Sequence, residues 1–123
     1  MRIIWIGPYP APIKWINTWK EKHPDWEFII FTDKMLKART WHNQHLINEY
    51  YERQKWAGVQ DLIRYELLYS EGGFIPPADA ECFHNTEELF ISPADHCYAV
   101  YENEEINPGY ISPIYACNPK NEF

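Results

Sequence analysis

Arg2 to Phe31 reads RIIWIGPYPAPIKWINTWKEKHPDWEFIIF, and this stretch decides the fold. It opens with Arg2-Ile-Ile-Trp-Ile6, a short apolar run of β type stopped by Gly7-Pro8. Pro12 is well placed for the first turn of a helix. Ile13, Ile16 and Trp19, with Trp15 alongside, recur at helical spacing as far as Lys22, and His23-Pro24-Asp25 stops the helix. Trp26-Glu-Phe-Ile-Ile-Phe31 is a second, mostly apolar strand ended by Thr32-Asp33. Strand, helix, strand, with both strands almost continuously apolar, predicts a parallel pair joined by a right-handed crossover and hence an α/β fold.

Downstream, residues 34–55 are polar and aromatic, with a helix expected around Asn43–Arg53. Trp56 to Ser70 is the strongest helical run, closed by Gly72-Gly73 where the chain needs positive φ. Phe74-Ile75 reads as a short strand stiffened by Pro76-Pro77, and Asp79 to His84 as strand or loop. Thr86–Phe90 is a short helix or turn. Cys97–Tyr101 and Tyr110–Cys117 are expected as late strands on either side of the acidic turn Glu102–Gly109.

The 123 residues amount to one domain, 1–123, able to bury a single core. Hydrophobic residues are 46% and charged residues 24%, a balance that folds. Six Trp, nine Tyr and six Phe suggest stacking surfaces as well as core filling. A net charge of −7 argues against a nucleic-acid partner. No apolar run approaches the roughly 18 residues of a membrane span. Pro8, Pro10 and Pro12 break the opening before a signal peptide can form, so the expected location is cytoplasmic. Three cysteines, Cys82, Cys97 and Cys117, lack the spacing of a disulfide-stapled secreted module. Residues 1–64 hold ten basic and seven acidic side chains, and residues 65–123 one basic and eleven acidic. The acidic half either serves solubility or calls for a divalent cation.

Two constellations could carry chemistry. Asp61 and Arg64 stand at i and i+3 on the long helix, on one face with Ala57 and Leu68. By helix pattern alone they read as an ion pair facing water. Asp79 and Glu81, one residue apart in a segment expected to be extended, would point the same way and could chelate a hard cation. The histidines and thiols lack paired zinc-ligand spacing and read as surface and core residues. No P-loop, G-x-G-x-x-G or G-x-S-x-G is present.

The order of these pieces is specific. Ile3-Ile-Trp-Ile-Gly7, Pro10 and Pro12, Trp15 and Trp19, and Pro24-Asp-Trp26 lead to Ala57-x-x-x-Asp61-x-x-Arg64-Tyr-x-x-Leu-Tyr69-x-x-Gly-Gly73, and then to Asp79. Over about residues 2–90 the chain resembles the glycosyltransferase family with the DXD sugar-binding region. That family includes capsular polysaccharide transferases and initiating mannosyltransferases. The resemblance implies a Rossmann-like GT-A sandwich, minimal or truncated, that binds a nucleotide-sugar donor at the carboxyl ends of its strands. It implies that Trp5 stacks on the nucleobase and that Asp61 and Arg64, with the adjoining Tyr65, bind the donor. It further implies that Asp79, with Glu81 in a shifted register, holds Mn²⁺ or Mg²⁺. The reaction it implies is transfer, mostly retaining, to a glycan or lipid-linked acceptor; no catalytic nucleophile is assigned.

The chain departs from the family pattern at three places. Pro77 stands where the first Asp of D-x-D belongs, Ile75 where a Tyr belongs, and Gln60 where a Ser usually precedes Asp61. Beside that family pattern, the acceptor side is expected to be short or missing. Two other expectations therefore stand beside an enzyme: a catalytically silent nucleotide-sugar-binding domain, and a fragment that assembles with another chain.

Overall fold

The computed structural model describes residues 1–90 and 96–123. The opening motif forms as the sequence implies. Strand β1 (Arg2–Ile4) is followed by helix α1 (Ile13–Lys22) and strand β2 (Ile29–Phe31). The two strands pair in parallel, Arg2 opposite Ile29 and Ile4 opposite Phe31. Helices α2 (Asp33–Lys37), α3 (Gln44–Glu52) and α4 (Trp56–Glu71) come next, then strand β3 (Gly73–Phe74), a 3₁₀ turn at Glu87–Phe90 and strand β4 (Ala116–Cys117).

Neighbouring strand residues point to opposite sides, and this pleat builds two cores. Ile3, Phe74 and Ala116 join Ile16 and Trp19 of α1, with Trp5, Phe28 and Ile30 packed against them. Ile4, Phe31 and Ile75 join Leu36 of α2, Ile47 of α3, and Val59, Ile63, Leu67 and Leu68 of α4. The strands thus lie between α1 on one face and α2, α3 and α4 on the other. Each fully buried Ile or Leu here contributes about 1.5–3 kcal/mol.

The strands are shorter than expected, and the ladder is not continuous. β1 stops at Ile4, although the Trp5 amide still donates to the Phe31 carbonyl at 2.9 Å. β2 begins only at Ile29, because Trp26 is held in a turn by the His23 carbonyl. Among the described residues β1–β2 and β3–β4 are two separate two-stranded sheets, the second antiparallel. The late strands form a loose hairpin, with antiparallel bridges Tyr98–Ala116 and Tyr101–Ile111 around the acidic turn.

The segment after β3 differs more. Pro76 and Pro77 offer no N–H to a ladder, and the chain turns at Ala78–Asp79. Asp79 and Glu81 therefore do not share a strand face.

No described helix is long and apolar enough to cross a membrane.

Candidate functional site

Three pieces of chain carry the sequence-defined candidates. The first is the carboxyl end of β1 and β2. The Trp5 indole Nε1 donates to the Tyr9 carbonyl at 2.8 Å, which pins the ring across the Gly7–Tyr9 bend. The Gly7 amide donates to Asp33 Oδ2 at 3.1 Å, and the Tyr51 hydroxyl donates to Asp33 Oδ1 at 2.7 Å. Tyr51 meets Trp56, the first residue of α4, edge-on with centroids 5.0 Å apart. Gly7 has φ +109°, and a Cβ there would lie 2.8 Å from the Trp56 ring. Only glycine lets the chain pass so close to that indole. The bond from Tyr51 to the Asp33 carboxylate pushes the phenol up from its ordinary value, since losing the proton would set two negative charges side by side.

The second piece is α4. Arg64 Nη1 donates to Asp61 Oδ1 at 3.0 Å. The Arg64 side chain is 8% exposed and that of Asp61 48%. So the pair does not face water as helix pattern alone suggests: Arg64 lies in the core side of α4 and Asp61 at its rim. The guanidinium sits over the Tyr115 ring, 5.2 Å from its centroid. Its Nε is buried with no hydrogen-bond partner. A buried donor left unmade costs about 1–3 kcal/mol, and such groups in native folds call for an explanation.

The third piece is the run after the double glycine. Gly72, at φ +64°, caps α4 through its N–H to the Leu68 carbonyl at 2.8 Å. The Ile75 amide donates to the Tyr115 carbonyl at 2.7 Å, which links this run to the ring above Arg64. Beyond it the backbone is strapped to α1. Trp19 Nε1 donates to the Ala80 carbonyl, and the Cys82 amide to Thr18 Oγ1, both at 2.8 Å. The Thr86 amide donates to His23 Nε2 at 3.0 Å, so that nitrogen is an acceptor, and Nδ1–H donates to the Trp19 carbonyl at 2.9 Å. The Asp79 and Glu81 side chains, by contrast, are exposed. No hydrogen bond or ion pair engages either among the described residues.

The structure joins Asp61 to Arg64 directly, and Arg64 to the post-glycine run through Tyr115. It packs Trp5 against the core cluster that holds Ala78. Tyr65 lies on a different face of α4, 48% exposed, beside Tyr69 and Cys97. No group of three or more His, Cys, Asp or Glu side chains able to hold a metal occurs among the described residues. Sequence reasoning missed Asp33, Tyr51 and Tyr115. Asp33 could have been found, because an acid two residues past an apolar strand stands at the carboxyl end where open α/β sheets bind ligands. Tyr115 gave no local signal.

No curated protein sequence matches the chain. The profile of the family described as glycosyltransferase sugar-binding region containing DXD motif matches residues 11–94. That span holds Asp61, Arg64, Tyr65, Asp79 and Glu81, and leaves Trp5 outside. The match covers well over half of the chain, with the acid–guanidinium pair of α4 and the post-glycine carboxylates inside it, and so this protein belongs to the DXD-containing glycosyltransferase family.

Proposed function

We propose that this chain is the donor-binding part of a GT-A glycosyltransferase, which takes a nucleoside-diphosphate sugar and delivers the sugar to a glycan or lipid-linked acceptor with retained configuration. The observation that carries the reading is Arg64: a buried guanidinium with a spare Nε–H, paired to a half-exposed aspartate inside a family sugar-binding region. A guanidinium donates in a planar fork suited to phosphate or to paired sugar hydroxyls. Asp61 accepts from hydroxyls at the rim. Trp5 offers an indole face, held in place by its bond to Tyr9, to the base. Tyr65, exposed on the neighbouring face of α4, completes the proposed donor-binding set.

Asp79 and Glu81 are the residues that would hold Mn²⁺ or Mg²⁺. Two exposed carboxylates are too few for a dedicated protein cage. They do suit an ion that takes one or two carboxylates and completes its shell with substrate phosphates and water. Bound there, the ion supplies Lewis-acid neutralisation of the diphosphate. The chain's own part is positioning: the Trp19–Ala80 bond holds the carboxylate-bearing turn, and Asp61 orients Arg64.

Calorimetry with a panel of UDP- and GDP-sugars, with and without Mn²⁺, followed by an assay of nucleotide release, tests this. One donor should bind in a metal-dependent way and be turned over. If none binds under either condition, the reading is wrong. Pro77 at the first position of D-x-D favours a second reading, a silent sugar-nucleotide-binding domain. Metal-indifferent binding without nucleotide release would mark that outcome.

A further inference from the structure

We propose that Cys97 and Cys117 form an intrachain disulfide when the chain meets a small-molecule disulfide, making a redox-dependent clamp on the hairpin that carries Tyr115. The register sets the pair up. Tyr98 and Ala116 exchange both backbone hydrogen bonds, at 2.8 and 3.4 Å, in an antiparallel bridge. One step outward, Cys97 and Cys117 face each other at a non-hydrogen-bonded position. There Cα atoms stand about 4.5 Å apart and side chains are closest. A disulfide spans Cα separations of roughly 4.4–6.8 Å.

The side chains are neighbours as well: Cys97 is among the groups that push the Cys117 thiol up. In the reduced chain Cys97 Sγ–H donates to Asn121 Oδ1 at 3.1 Å and Cys117 Sγ–H to the Leu68 carbonyl at 3.8 Å. Both line a cavity of about 370 Å³ together with Tyr65, Leu68, Tyr69 and Phe123. Cys82 is no competitor: it is buried in the cluster on the α1 side, and its Sγ–H donates to the His84 carbonyl at 3.1 Å.

The exchange balances with glutathione disulfide as oxidant. Burial, and then the neighbouring Cys97, push the Cys117 thiol up to about 11, so Cys97 is the first attacker. The Cys97 thiolate takes one glutathione sulfur and releases one glutathione thiolate. Cys117 loses its proton, attacks the Cys97 sulfur and expels the second. Two protein thiols lose two electrons, and two glutathione molecules carry away the electrons and protons. The bond ties the hairpin shut beside Gly73, which pairs with Cys117, and holds Tyr115 over Arg64.

The full chain, purified reduced, is incubated near pH 8 in glutathione redox buffers and analysed by thiol titration, intact mass and peptide mapping. The expected product has one free thiol, a mass lower by about 2 Da, a Cys97–Cys117 cross-linked peptide and Cys82 still open to alkylation. Its thermal midpoint should rise by about 5–10 °C and fall back with dithiothreitol. Neither change should occur in Cys97→Ser or Cys117→Ser. Three unchanged thiols, glutathione adducts without a cross-link, or any bridge that includes Cys82 or a second chain would overturn the proposal. Should a serine variant not fold, the peptide map of the wild-type chain decides alone.

Discussion

Arg64 is a poor stabiliser, and that is what makes it informative. Its partner Asp61 is half exposed, so solvent screens the pair to about 1 kcal/mol or less. Its unmade Nε works against folding by a similar or larger amount. Replacing it with an unbranched apolar side chain removes both terms and keeps the packing over Tyr115. Arg64→Met should therefore unfold in urea within about 1 kcal/mol of the wild type. Its affinity for the donor sugar nucleotide should fall at least about tenfold. A loss of several kcal/mol with donor binding intact would make Arg64 a structural residue. Tyr51 behaves differently. Its phenol is raised by the Asp33 carboxylate, so the folded state holds that proton more tightly than the unfolded chain. The stability this gives is fully present below the unfolded value of about 10 and fades as pH climbs through the higher folded value. Tyr51→Phe should lower stability by about 1 kcal/mol at neutral pH and flatten the decline above about pH 10 in urea titrations.

Among the elements, the contact between the β1 exit and the α4 entry is a close joint. Gly7 combines a positive φ with an indole 2.8 Å from where a Cβ would stand. Gly7→Ala should destabilise by about 1–3 kcal/mol, read as a lower urea midpoint at unchanged slope, because Trp56 must move and take α4 with it. Much of this level was legible beforehand. The 3.6-residue repeat of α1 and α4 and the double-glycine stop are local signals, and the apolar runs Arg2–Ile6 and Trp26–Phe31 contain the shorter parallel pair. What escaped had mixed causes. A local turn on the His23 carbonyl takes Trp26 out of a strand, and the prolines before Asp79 take it out of one, with Trp19 capturing Ala80 from a distance. The spacing of Asp61 and Arg64 placed both on one helix face. The ring of Tyr115, from the far end of the chain, lies against the guanidinium, a contact that the spacing on α4 could not show.

At the scale of the whole molecule, the two cores divide the labour around the carboxylates. The α1 side grips the backbone of residues 80–86 through Trp19, Thr18 and His23, and the side chains of Asp79 and Glu81 stay free. On the proposed reading, the two carboxylates on this held turn are half of a metal site. They offer a divalent ion only part of its shell, and the remainder must come from phosphate oxygens and water. Manganese affinity should therefore depend on nucleotide. Titrated with Mn²⁺ alone, the chain should show only weak, salt-sensitive association of the kind expected for an acidic surface, since residues 65–123 carry eleven acids against one lysine. With UDP or GDP at saturation, one ion should bind at least about tenfold tighter, a coupling of roughly 1.4 kcal/mol that acts equally on nucleotide affinity. Asp79→Asn should abolish that coupling and leave nucleotide binding without metal unchanged, because the side chain supports no other contact. Equal Mn²⁺ affinity with and without nucleotide, or a coupling that survives Asp79→Asn, would mean that these carboxylates serve the surface alone.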